Sequence, residues 1–283
     1  MNSIIKSVNG DNIDISNIGI FYNEDNHNAQ NLANTIKETL KEKGINSNIF
    51  STNNFLKEVT FALVLGGDGT ILKTARFYAK YNVPILGINL GRLGFLSQAK
   101  PTQVNDAIDC IINGRFKIED RIMLSALNGK MNALNDVVIK GDGFLRTSRF
   151  YVHINDNIVC DYLADGIIIS TPTGSTAYTL SAGGPIIVPS LEAMVIVPIC
   201  PHTMNARPIV IPSDEVIKIT SSQKKPLLKI SADGQNTMDL EPNQSIVIKR
   251  SEYCAKLLLI NMQKNSFYSV LKEKLHWGLS WQG

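Results

Sequence analysis

The chain is short of cysteines, of net charge and of long apolar runs, and each shortage closes off a class of function. Its four cysteines, Cys110, Cys160, Cys200 and Cys254, lie far apart and form no C-x-x-C pair. Neither metal-binding spacing nor a disulfide framework is present. They read as reduced thiols, mostly buried, in a cytosolic protein. No apolar stretch reaches the roughly 18 residues a membrane span needs. The apolar segment from Ala193 to Cys200 is short and ends in prolines, so it predicts a strand. Met1 to Ile20 lacks the basic-then-apolar pattern of a secretory leader. The formal charge is only +3, and the lysines are scattered, with no sustained basic run to mark a nucleic-acid surface. His27, His153, His202 and His276 sit in unrelated contexts. None pairs with Cys or Ser at metal or triad spacing, and a structural role is the default for His202.

What is present is a chain able to bury a sizeable core. The 283 residues are 44% apolar, enough for one large domain or two ordinary ones. The first third alternates strand and helix signals. Strands are predicted over Ile18–Tyr22, Ile45–Phe50, Phe61–Leu65 and Val83–Ile88. Helices are predicted over His27–Lys43, Ile71–Tyr81 and Thr102–Ile112. Ala29, Leu32, Ala33, Ile36 and Leu40 fall on one helical face. This rhythm argues for a parallel sheet with helices on both faces. Beyond Gly114, short apolar or alternating runs take over. They are Leu124–Leu127, Asn135–Lys140, Tyr151–Ile154, Gly166–Ser170, Ala193–Ile199, Val216–Thr220, Leu227–Ser231, Ser245–Lys249 and Leu257–Ile260. Seven of the eleven prolines lie between Pro172 and Pro212, which disfavours helix there. One brief helix is plausible near Thr176–Ala182. The fold class expected is α/β plus all-β, with an α/β domain over 1–99 and a β-rich domain over 100–261. The tail 262–283 looks helical at Phe267–Trp277 and is expected to pack back on the first domain. Trp277 and Trp281 would bury there or against a partner subunit.

Chemistry concentrates in three places. The run Ala62-Leu63-Val64-Leu65 ends at Gly66-Gly67-Asp68-Gly69-Thr70, and a helical pattern follows. It reads as a strand, a tight turn holding one carboxylate, and a helix N-terminus. Glycines let a ligand approach the backbone, and helix N-terminal amides favour phosphate. The turn matches neither G-x-G-x-x-G nor the P-loop. A carboxylate beside a phosphate site suits phosphoryl transfer, where it takes a proton from an attacking hydroxyl or holds a cation. The second place is the strand Gly166–Ser170, preceded by Ala164-Asp165. It runs into five hydroxyl residues between Ser170 and Thr176, then Tyr178, Ser181 and Gly183-Gly184-Pro185. Hydroxyls and free amides there could bind ribose or phosphate while the aromatic stacks on a base. Ordinary helix capping is the competing reading for any one hydroxyl. The third is Asn135-Asp136, which can grip vicinal hydroxyls or simply form a turn.

Taken together, Gly66–Thr70, Asn135-Asp136 and Thr171–Tyr178 resemble the NAD kinase family in order and spacing. Further matches are Asn89-Leu90-Gly91-Arg92-Leu93-Gly94-Phe95-Leu96, Cys200-Pro201-His202-Thr203 with Arg207-Pro208, and Asp233-Gly234-Gln235. They cover most of residues 60 to 240. The glycine turn alone is shared with lipid kinases and phosphofructokinases; the combination is far more specific.

The resemblance implies a Rossmann-like α/β domain followed by a β-sandwich-like domain, with the active site between them, in a homodimer or homotetramer. It implies transfer of the terminal phosphoryl group of ATP, with a divalent cation (Mg2+), to the 2′-hydroxyl of the adenosine ribose of NAD. Asp68 would accept the hydroxyl proton. Gly69 would admit the dinucleotide, and Gly66, Gly67, Gly69 and Thr70 would face the donor phosphates. Asn135 and Asp136 would hold ribose hydroxyls. Thr176, Ala177, Tyr178, Thr179, Leu180 and Ser181 would line the adenine and ribose pocket. Asp165 would contact the dinucleotide, within its own subunit or across a subunit interface. Lys73 and Arg146 are basic candidates near phosphates, each balanced by a solvated reading, and Gln235 is a weaker contact. No fixed protein ligands for the metal are expected. Two departures stand out: Leu163 occupies a place where some relatives carry a basic residue, and Asp136 one where some carry Glu. The rival readings are a lipid kinase and a dinucleotide sensor without turnover.

Overall fold

The computed structural model describes residues 3–7, 9–24, 26–91, 94–141, 147–221, 228–260 and 266–276. The chain forms two units, residues 1–120 with 255–283, and residues 121–254.

In the first unit the apolar periodicities become two faces of one sheet. β1 (Ile18–Tyr22) is followed by α1 (His27–Glu42), β2 (Ser47–Ser51), β3 (Phe61–Leu65), α2 (Asp68–Tyr78), β4 (Ile85–Ile88) and α3 (Val104–Ile112). Asn26 starts α1 by accepting the Ala29 amide at 3.2 Å, as an N-cap side chain should. Ala29, Ala33, Ile36 and Leu40 then turn inward and join Phe61, Leu63 and Leu65 in one apolar cluster. Alternation sends Ala62 and Val64 to the opposite face. That is why β3 reads as an unbroken apolar run, buried on both sides. α2 contributes Ile71, Ala75 and Tyr78 as buried residues, and the Tyr78 ring lies 5.4 Å from that of Phe21. The strands are parallel: Ile18 pairs with Phe61 and with Ser47, Ala62 with Ile85, and Leu257 with Ile85. The tail helix α5 (Phe267–Leu275) belongs to this unit and sets Phe267 6.2 Å from Phe95.

The boundary expected near residue 100 falls instead at 120/121. The cause is α3: Val104, Ala107, Ile108 and Ile111 bury in the same cluster as α1, so the segment cannot leave the first unit.

The second unit is β-rich. Its strands include β5 (Asp136–Gly141), β6 (Ser148–Ile154), β7 (Asn157–Ala164), β8 (Gly166–Ser170), β9 (Ala193–Ile199), β10 (Ile209–Pro212), β11 (Ile217–Ser221), β12 (Leu228–Ala232), β13 (Asn236–Leu240) and the start of β14 (Ile246–Leu259). One antiparallel sheet runs β10-β9-β8-β5-β12-β13; in the other, β7, β6, β11 and β14 pair in turn. Val137, Ile139, Ile167, Ile169, Ile196 and Ile230 from the first share a cluster with Phe150, Val152, Ile217, Ile219 and Ile248 from the second. This is a two-sheet sandwich core. On the outer face of the six-stranded sheet Val138, Ile168, Val195 and Val197 gather around Ile187.

The brief helix expected near Thr176–Ala182 is α4 (Tyr178–Ser181), preceded by a 3-10 turn, Thr173–Thr176, and broken from it at Ala177 with φ −99° and ψ −130°. Two local expectations are corrected. The runs expected at Ser245–Lys249 and Leu257–Ile260 fall mostly within one 14-residue strand, β14. The cysteines are all free, yet only Cys110 is buried, and Cys200 is exposed because it lies in the turn after β9 at φ 44°. No helix among the described residues is long and apolar enough to cross a membrane.

Candidate active site

The glycine turn lies at the carboxyl end of β3, where ligands bind on open parallel sheets. Asp68 is not held in the turn itself: it is the first residue of α2, with Gly67 in the extended N-cap position. No side chain caps this helix start, and Gly67 and Gly69 are exposed. The helix dipole there favours negative charge, both for the Asp68 carboxylate and for an arriving phosphate.

Asp68 is half-buried and oriented by a neighbouring loop. Its Oδ2 accepts the Phe95 amide at 3.0 Å and its Oδ1 accepts the Leu96 amide at 3.3 Å. A Cβ on Gly94 would overlap this carboxylate, so the approach requires glycine at 94. The Gly94 amide in turn donates to the Ser97 hydroxyl at 2.9 Å. The segment Gly94–Leu96 therefore holds the carboxylate from behind. Lys73 does not stand free in solvent; its Nζ donates to Asn53 Oδ1 at 2.7 Å.

In the second unit Asn135 and Asp136 sit at the head of β5, with Asp136 opposite Ser170 of β8. The hydroxyl-rich segment is mostly consumed in holding this place together. The Thr171 hydroxyl donates to the Leu134 carbonyl at 2.6 Å and accepts the Gly174 amide at 3.1 Å. The Asn135 carbonyl accepts the Thr171 amide at 2.9 Å and the Ser170 hydroxyl at 3.1 Å. A Cβ on Gly174 would strike that same carbonyl. Ser175 bridges Pro172 and Ile187, and the Thr173 hydroxyl accepts from Arg121 at 3.3 Å. Of the five hydroxyl residues, only Thr176 is not buried. Most of them hold the protein's own fold, and only Thr171 accepts an amide at the start of the turn, so neither ligand binding nor helix capping describes the group.

What remains accessible is a smaller set. Tyr178 is 43% exposed and Ser181 is exposed, with Ala177 and Leu180 half-buried. Thr179 departs from the group. Its side chain is fully buried, its hydroxyl finds no partner there, and its carbonyl accepts the Gly184 amide at 2.9 Å. Burial raises the Tyr178 phenol above its usual range, and the charges of Cys200, Asp136 and Asp165 push the same way. These groups therefore share one neighbourhood. Asp165 is exposed in the turn between β7 and β8, its amide bonded to the Ile199 carbonyl at 3.0 Å. Gln235 is exposed in the β12–β13 turn. Arg146, Trp277 and Trp281 lie outside the described residues.

Asp136 is the most perturbed acid of this neighbourhood. It is 4% exposed, and burial, then the charge of Asp233, raises its carboxyl to about 7. Asp233 is the residue the sequence reading left without a role. Its carboxylate accepts the amides of Leu134, Asn135 and Asp136 at 3.1, 2.7 and 3.2 Å. The only sequence signal for it was its place in the Asp233-Gly234-Gln235 match. Among the described residues, no group of three or more His, Cys, Asp or Glu is placed to hold a metal ion.

Two family models match the chain: the ATP-NAD kinase N-terminal domain over residues 50–116 and the ATP-NAD kinase C-terminal domain over residues 134–260. An NAD kinase of Caldanaerobacter subterraneus is 42% identical over 230 residues, covering 79% of this chain and 81% of its own length. One from Pseudomonas putida is 40% identical over 256 residues, covering 87% of this chain and 85% of its own. Among solved structures, yeast NADH kinase complexed with NADH superposes with a TM-score of 0.84, covering 99% of this chain and 94% of that one, at 22% identity. That likeness speaks to the fold. An NAD kinase from Archaeoglobus fulgidus in complex with ATP gives a TM-score of 0.76 at 27% identity, covering 91% of this chain and 98% of that one.

Proposed function

The chain belongs to the NAD kinase family, and from that premise we propose how its residues divide the work of ATP-dependent phosphorylation of NAD. The reaction moves the terminal phosphoryl group of ATP to the 2′-hydroxyl of the adenosine ribose, giving NADP and ADP. A sugar hydroxyl is a poor nucleophile at neutral pH. Asp68 takes its proton as the oxygen attacks, a contribution of about 10²–10⁴-fold for a well-placed base. Alignment and charge neutralisation supply the rest.

Asn135 and Asp136 grip the ribose hydroxyls, the amide donating and both side chains accepting. Tyr178 offers its exposed ring to the adenine, with Thr176, Ala177, Leu180 and Ser181 around it. The exposed amides at the start of α2, by Gly67 and Gly69, receive the donor phosphates. No protein ligand is assigned to a metal; a divalent cation such as Mg2+, carried on the phosphates of ATP, would supply charge neutralisation on the transferring phosphoryl group. Asp165 is exposed and free to meet a dinucleotide held by a neighbouring copy, in a homodimer or homotetramer working in the cytoplasm.

The observation that carries this reading is the fixed Asp68 carboxylate at the carboxyl end of β3, at an uncapped helix start. The test is incubation with ATP, magnesium and either NAD or diacylglycerol. A dehydrogenase specific for NADP then reports product. NADP formation is expected; phosphorylation of the lipid alone, or NAD binding with no turnover, contradicts the reading.

A further inference from the structure

Asp233 lies 98 positions from Asn135 in the chain, yet its Oδ1 accepts the Asn135 amide at 2.7 Å and the Asp136 amide at 3.2 Å. Its Oδ2 accepts the Leu134 amide at 3.1 Å, and its own amide donates to the Asp136 carbonyl at 2.9 Å. Three successive amides converging on one carboxylate make an anion nest, filled here by the chain itself. On the carbonyl side, Ser170 and Thr171 hold Leu134 and Asn135. The segment 134–136 is thus fixed through both its donors and its acceptors. Asp233 adopts φ 52° to do this, a conformation that Asn and Asp tolerate better than most side chains. The arrangement has a cost, because a second acid stands beside buried Asp136. A neutral acceptor would cap the turn without that repulsion. A charged one binds the amides about twice as strongly.

We infer that Asp233 is a positioning residue of the reaction. It locks the backbone of 134–136 so that the Asn135 and Asp136 side chains keep one geometry toward the ribose hydroxyls. The inference rests on the ribose-gripping role proposed above for that pair.

The test uses D233N, which suits the same φ and keeps one acceptor oxygen but turns an NH2 toward an amide donor. KM for NAD is expected to rise about 10-fold or more, with KM for ATP unchanged. N135A is made in both backgrounds. If Asp233 acts through Asn135, the two effects combine to less than their sum. A wild-type KM for NAD in D233N, or full additivity, overturns the inference. Hydrogen exchange on the wild-type enzyme needs no variant at all. The amides of 134–136 are expected to be protected, and exchange at open-loop rates overturns the inference even where D233N fails to fold. If N135A and D136N leave KM for NAD unchanged in an enzyme that forms NADP, the ribose-gripping reading fails and the inference with it. If they raise KM and D233N does not, the inference fails alone.

Discussion

At the scale of single residues, two side chains of the second unit carry separable expectations. Tyr178 keeps 43% of its surface exposed, enough ring to stack on a base. Replacement by Ala is expected to weaken NAD binding by about 1–3 kcal/mol, the range for base–aromatic stacking, as measured by titration calorimetry; unchanged affinity would mean the ring only packs. Asp136 carries the pH dependence. Burial and Asp233 hold its carboxyl near 7, well above the unfolded value. The unfolded chain therefore releases this proton first, and the free enzyme loses stability as pH rises from about 4 to about 7. Over the upper part of that window the carboxylate forms, and in the ribose-gripping role proposed above it accepts both hydroxyls. NAD affinity is accordingly expected to rise with pH through about 7, and the D136N variant to flatten that profile. Asp68 was legible as chemistry because an acid among glycines after an apolar run has few other uses. Asp233 was legible only as part of the Asp233-Gly234-Gln235 match, without a role, since its work depends on contacts nearly a hundred residues away.

The elements explain why some of these positions work. A strand, two glycines and a helix start are all local, so β3, the turn and α2 could be read from residues 61–78. The orientation of Asp68 is not local. It comes from Gly94–Leu96, where Phe95 and Leu96 donate their amides and Gly94 alone leaves room for the carboxylate. Gly94→Ala is expected to shift that side chain and lower kcat on the order of 100-fold, the penalty of a misplacement near 1 Å. Steady-state kinetics with an unfolding midpoint checks this, and an unchanged kcat would show that the loop does not orient the acid. The segment 170–181 is a related case. Its hydroxyls suggested a turn that binds ribose or phosphate, but Ser170, Thr171, Thr173 and Ser175 spend their hydrogen bonds on the protein. The helix breaks at Ala177. Density of a residue type along the chain does not reveal which way the side chains turn.

For the whole molecule, the α/β rhythm followed by short strands was enough to give the fold class and two units. The boundary was not: it was expected near residue 100, ahead of α3, yet α3 buries its apolar face in the first unit's core. β14 likewise looked like two strands, since its middle, Arg250–Cys254, interrupts the apolar pattern while the backbone stays extended. The mechanism proposed for this member of the NAD kinase family rests on one step: Asp68 turns a ribose hydroxyl into a nucleophile. The most direct measurement is the rate of NADP formation by the Asp68→Asn variant, read beside its dissociation constant for NAD. The account predicts turnover at least about 100-fold lower with NAD binding largely intact. Near-normal turnover in a folded D68N enzyme would contradict it.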